Sequence, residues 1–367
     1  MDHSFLAKYG LKRVVNASGR MSVIGVSAPS DTVMDAMKLG GRQYVEMAEL
    51  VEASGAHIAR TLGAESAVVV NSASSGIALC VAAVVTRGDR RKSLRLHQEP
   101  LSRNEILLFK GHNVQYGAPV ETMVFLGGGR VREIGYANEG RAEHLEEAIS
   151  EETAAVLYVK SHHCVQKNML SVEEAWEVAS RRGVPLIVDA AAEEDLRKYP
   201  ACSDLVIYSG SKAIEGPTSG IVCGKRTYVD WVKTQLHGIG RGMKVGKEAI
   251  FGLLQALEEY VAKEDTSERE KEALQAFLPL NELPGVGVTI VQDDSGRSIF
   301  RARVRIDPEH AGMTAERMAI ELRTGPIAVY TRDYGVKQGY FDLDPRSLQG
   351  DDIPVIAARI RELAGGR

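Results

Sequence analysis

Between about residues 65 and 226 the chain alternates short apolar runs with stretches of helical spacing, and this alternation narrows its possible folds more than any other feature. The runs cover residues 67–71, 105–109, 122–126, 154–160, 185–189, 204–208 and 220–223. Several are apolar at consecutive positions instead of every second one, the pattern of a strand covered on both faces. Helical patterns at 74–86, 141–150 and 172–182 supply the crossovers that parallel strands require. The expectation is a mostly parallel, doubly wound α/β domain.

After Gly246 the pattern changes. Residues 247–277 read as one long helix with an apolar stripe through Ile250, Leu253, Leu254, Leu257 and Tyr260. The segments GVGVTIVQD, IFRARVRI, TAERMAIELR and IAVYT, with a last helix over 353–363, read as a small C-terminal α+β domain. The expected division is an N-terminal arm over 1–30, a large α/β domain over 31–246, and a linking helix with the small domain over 247–367. A chain of 367 residues is long enough for two such cores.

An apolar share of 44%, a charged share of 26% and a net charge of -4 describe a soluble globular protein with no nucleic-acid footprint. No apolar run approaches the ~20 residues of a membrane span, and the N-terminus lacks the apolar core of a signal peptide. A cytoplasmic protein with no membrane partner is therefore expected. Cys80, Cys164, Cys202 and Cys223 show no CxxC spacing, which argues against a disulfide framework or a structural zinc site.

In open α/β sheets ligands bind beyond the carboxyl ends of the strands, so the residues that follow each run are the informative ones. After 67–71 comes SASSG, small residues opening a helix whose free N–H groups and hydroxyls suit a phosphate, although any tight strand-to-helix turn uses such residues. After the next-to-last pair of runs come DAAAEED, beginning at Asp189, and SGSK, ending at Lys212. Asp189 reads either as a turn former or as an acid facing a cleft that three alanines keep open. Lys212, among small and hydroxyl-bearing neighbours, is either a solvated surface lysine or the amine of a covalent site. Together, a phosphate turn, an acid able to hold a proton on a pyridine nitrogen and a lysine able to form a Schiff base meet the needs of pyridoxal 5′-phosphate.

The order of these motifs resembles that of fold type I pyridoxal-phosphate enzymes. Within them the chain is similar to the selenocysteine-synthase-like branch, and most closely to the D-glucosaminate-6-phosphate ammonia-lyase group. The segments that carry the likeness are VVNASGRMSVIGVS, FKGHNVQYGAPVETMV, YVKSHHCVQKNMLSVEEA, LIVDAAAEEDL and VIYSGSKAIEGPTSG. The resemblance implies Lys212 as the Schiff-base lysine and base for the substrate α-proton, and Asp189 as partner of the ring nitrogen. It places Ala191 and His112 against the two ring faces, and Ala73, Ser74, Ser75, Ser209 and Ser211 around the phosphate. His112 reads equally as a surface loop histidine.

His162, His163 and Cys164 invite a metal reading, but adjacent residues on an extended segment point to opposite sides and no second cluster completes a site. His162 reads as a group facing the cofactor or substrate, and as the general acid, or else as a core histidine. Arg20, Arg241, Lys244 and Lys247 are the candidate cations for a phosphorylated, carboxylated substrate, each otherwise a surface charge.

The activity implied is pyridoxal-phosphate-dependent β-elimination, releasing ammonia from a sugar-derived amino acid, with D-glucosaminate 6-phosphate giving 2-keto-3-deoxygluconate 6-phosphate. An aminoacyl-tRNA enzyme like selenocysteine synthase, a racemase or aldolase of the same fold, and a cofactor-binding protein without catalysis are the alternatives. A homodimer or higher homo-oligomer is implied by the resemblance alone.

Overall fold

The computed structural model describes residues 3–98, 101–161, 163–293 and 298–365. Strands follow in chain order as β1 (Val14–Asn16), β2 (Ser66–Val70), β3 (Glu105–Phe109), β4 (Arg130–Ile134), β5 (Thr153–Val159), β6 (Leu186–Asp189), β7 (Leu205–Ser209), β8 (Gly220–Gly224), β9 (Val286–Gln292), β10 (Phe300–Ile306), β11 (Ala328–Tyr330) and β12 (Tyr340–Leu343). They belong to two compact units, Pro29–Ala262 and Met1–Ala28 with Lys263–Arg367.

In the first unit a seven-stranded sheet runs β2-β8-β7-β6-β5-β3-β4. Strands β4, β3, β5, β6 and β7 pair in parallel, and only β8 runs against its neighbours β7 and β2. Successive side chains of a strand enter different cores. Ala67, Val69, Leu107 and Phe109 lie in one, while Val68, Val70, Ile106 and Leu108 lie in the other. That two-sided burial, roughly 1.5–3 kcal/mol for a side chain of this size, is why the strands are apolar at consecutive positions. The sheet and its helical cover are the fold type I architecture.

Two local expectations give way to the structure. The run at 122–126 is helical, within Val120–Leu126, because Pro119 adopts the extended N-cap conformation and Val120 and Val124, one turn apart, are fully buried. The strand of that region is β4, RVREI, which alternates too weakly to be read from its residues. The helix expected over 247–277 is broken: Lys247–Ala262 ends, the Asp265 carboxylate accepts from the Ser267 N–H at 2.9 Å, and Ser267–Leu274 begins anew. The apolar stripe does not continue through the charged residues between, so nothing holds the turns there against a core.

In the second unit β10 pairs antiparallel with β9 and β12, while β1 pairs in parallel with β11. The N-terminal segment, expected as an arm, thus contributes a strand and the buried Val15 and Ala17. Met318 and Leu322 of the Ala315–Thr324 helix and Ile356 and Ile360 of Asp352–Gly365 complete this core. Among the described residues no helix is long and apolar enough to cross a membrane.

Candidate active site

The parallel strands turn their carboxyl ends to one edge of the sheet. Strand β2 joins them there, because the two reversals at β8 cancel. Gly220, first in β8, pairs with Ser209 on one side and Val70 on the other. The segments after β2, β3, β5, β6 and β7 therefore meet at one edge, and it lies wholly within the first unit.

The turn after β2 is closed by its own serines. The Ser72 hydroxyl accepts from the Ser75 N–H at 3.1 Å, and the Ser75 hydroxyl accepts from the Ser72 N–H at 3.1 Å and donates to the Ser72 carbonyl at 2.8 Å. This capping box starts the Ala73–Thr86 helix. Ser75, expected at a phosphate, has its hydroxyl engaged in the turn. Ala73 and Ser74 hold the first two helical positions, where no intrahelical carbonyl reaches their N–H groups and the helix dipole favours an anion. Across β8 the buried Ser209 and Ser211 place their hydroxyls 3.3 Å apart. Gly220 permits the approach: a Cβ there would stand 2.6 Å from the Ser72 carbonyl carbon.

Asp189 ends β6 and is 8% exposed. One oxygen accepts the Ala191 N–H at 3.2 Å. Burial pushes its carboxyl up to about 6, against the opposing pull of Lys212 and that N–H. Lys212 follows β7 in a loop closed by the Gly210 N–H to the Ser219 carbonyl and the Gly216 N–H to the Gly210 carbonyl. Burial lowers the Lys212 ammonium while Asp189 holds it up, so the two groups sense each other. His112, 2% exposed, makes edge contacts with Tyr158 at 4.6 Å and Phe109 at 5.6 Å between centroids. Burial, and then Lys160, bring its imidazole down to about 4, and its buried Nδ1 has no partner. A neutral ring with one free nitrogen is the result.

Ala73, Ser74, Ser75, His112, Asp189, Ala191, Ser209, Ser211 and Lys212 thus gather at one edge. His162 lies outside the described residues. Beside it Gln166 ties the loop, its amide donating to the Ser161 carbonyl at 2.6 Å and the Cys164 carbonyl at 3.1 Å, and its oxygen accepting from Lys160 at 3.2 Å. Lys247, expected at a substrate, is instead engaged by the Gly40 and Gly41 carbonyls at 2.5 and 2.8 Å, ending the Asp31–Arg42 helix. Arg241 and Lys244 are exposed, and Arg20 belongs to the other unit.

The residues missed by sequence reasoning are Ser72, Lys160 and Tyr116. Ser72 was legible as an N-cap one residue before the expected serines. Tyr116 lies in an aperiodic turn and gave no signal. Arg332, in the second unit, lines a cleft of about 400 Å³ with Ser18, Tyr330, Thr331 and Tyr334. Its guanidinium lies 4.8 Å from the Tyr334 ring centroid, and burial followed by the neighbouring Arg301 lowers its pKa.

A family model described as SelA: L-seryl-tRNA selenium transferase matches residues 49–276. The chain is 44% identical over 365 residues, 99% of either chain, to a D-glucosaminate-6-phosphate ammonia lyase from Salmonella typhimurium strain 14028s. It is 39% identical over 360 residues, 96% of this chain and 90% of the other, to a 5′-C-glycyluridine monooxygenase-decarboxylase from a Streptomyces species. A solved structure of D-glucosaminate-6-phosphate ammonia-lyase superposes with a TM-score of 0.94 at 43% identity, covering 100% of this chain and 99% of that one.

Proposed function

The chain belongs to the SelA family, and from that premise we propose that it is a pyridoxal-phosphate-dependent ammonia-lyase acting on a sugar-derived amino acid. The substrate we infer is D-glucosaminate 6-phosphate, a small phosphorylated amino sugar acid. The observation that carries this reading is the 44% identity across 99% of both chains, in a protein that joins a buried acid and a half-buried lysine at one sheet edge.

The residues of that edge fit the cofactor. Asp189 is a buried carboxylate whose one N–H partner leaves room for a second donor, and His112 offers a flat neutral ring. Amides of the Ala73–Thr86 helix and the hydroxyls of Ser209 and Ser211 are neutral donors suited to a phosphate. When bound, pyridoxal phosphate supplies an electron sink for charge that develops at the amine-bearing carbon.

The protein's own groups do the rest. Lys212 would hold the cofactor covalently, and its lowered pKa raises the share of neutral amine that, once released, could take the α-proton. Asp189 would accept a hydrogen bond from the protonated ring nitrogen and so keep that proton on the ring. The β-hydroxyl needs a proton to leave as water, and His162 is our choice of donor. The water lost is regained on hydrolysis of the imine, so one amino acid gives one 2-keto acid and one ammonia.

The test is a one-to-one yield of ammonia and 2-keto acid from D-glucosaminate 6-phosphate without oxygen, abolished in Lys212→Ala. Undiminished release by that variant would sink the mechanism. The 39% identity to the Streptomyces protein favours a second reading, oxidative decarboxylation, which requires oxygen uptake and carbon dioxide release when the assay is repeated in air. We take the protein to be cytoplasmic and a homodimer or a multiple of one; light scattering of the purified chain checks the latter, a monomer contradicting it.

A further inference from the structure

Resting on the cofactor reading above, we propose that the Tyr116 hydroxyl is a further donor to the cofactor phosphate at the start of the Ala73–Thr86 helix. Tyr116 sits in a built turn: its N–H donates to the Ala118 carbonyl at 3.1 Å, and the Val120 N–H reaches the Val114 carbonyl at 3.0 Å. The ring packs against the core that contains Val68, Val70 and Ile77. That oxygen is shielded from water and has no hydrogen-bond partner. Buried polar atoms are nearly always paired, so an orphan at a ligand edge marks a bond that the ligand completes.

The fold locates it. Tyr116 belongs to the segment that follows β3 at the carboxyl edge, and it packs on the same core as Ala73, the first residue of the Ala73–Thr86 helix, so it lies on the cofactor side. Burial raises the phenol, which keeps its proton at neutral pH and makes it a donor.

The experiment compares wild-type and Tyr116→Phe full-length protein in equilibrium dialysis against pyridoxal 5′-phosphate and against pyridoxal. Loss of a hydrogen bond to a charged group should weaken binding of the phosphorylated form roughly ten-fold and leave pyridoxal within two-fold. Equal affinity for pyridoxal 5′-phosphate, or equal weakening for both ligands, overturns the inference. A variant that binds cofactor normally but shows a raised KM for the phosphorylated substrate alone overturns it too, assigning the hydroxyl to the substrate phosphate. Wild-type protein that binds neither ligand refutes the cofactor reading and this inference with it, whereas the other outcomes leave that reading intact.

Discussion

Replacing Asp189 by Asn should stabilise the cofactor-free protein while removing its activity. The carboxyl is pushed from its usual 3.8 up to about 6 by burial, an excess of about two pH units. At about 1.4 kcal/mol per unit this is a penalty of about 3 kcal/mol on the ionised folded state. Its direction is opposite to that of a salt-bridged carboxylate: the folded state binds the proton more tightly than the unfolded one, so stability falls as pH rises from about 4 to about 6 and is then level. Integrated, the penalty is about 1.5 kcal/mol at pH 5 and about 3 kcal/mol above pH 7. Asn keeps the shape and the Ala191 bond without the charge. Urea unfolding of both cofactor-free proteins should show the variant more stable, by a margin that widens by about 1.5 kcal/mol between pH 5 and pH 7.5. A margin independent of pH, or a variant less stable throughout, would refute the reasoning. With cofactor bound, the advantage should disappear, because the ring nitrogen supplies the missing partner.

Gly220→Ala should cost about 1–3 kcal/mol and weaken cofactor binding, because the new Cβ would stand 2.6 to 2.8 Å from the backbone of Ser72 and Ala73; cofactor titration checks it, and unchanged affinity would mean that the turn can move without loss. In the other unit the fully buried Asp344 accepts from Arg301 at 3.1 Å and from Arg346 at 2.8 Å. Asp344→Ala should therefore cost about 3–5 kcal/mol in urea unfolding, and a loss below about 1 kcal/mol would contradict this. The two guanidinium groups outweigh burial and hold that carboxyl down at about 2, so its contribution is complete above about pH 4 and is lost as pH falls toward 2.

Much of the active edge was legible because strand ends announce themselves. Asp189 closes an apolar run and Lys212 follows another within a few residues, and residues in those places face the cleft beyond the strand ends. Ser74 and Ser75 are adjacent in the sequence, yet only the Ser75 hydroxyl joins the capping box, which depends on backbone angles at Ser72. The surroundings of Lys247 depend on the fold in a similar way. Its charge and its place near glycines were visible, but the carbonyls that hold it come from residues 40 and 41, some two hundred positions earlier.

What the sequence determined by itself is the layering: apolar residues at consecutive strand positions demand burial on two faces, and helices spaced between them demand crossovers. Local periodicity carries that demand because it arises from neighbours a few residues apart. Tertiary structure alone decided that β8 runs antiparallel between β7 and β2, bringing the Ser72 turn opposite Ser209 across a glycine. It also buried the hydroxyl of a phenol from an aperiodic turn. Contacts between distant residues are set by which surfaces fit once the layers form, and no period along the chain records them.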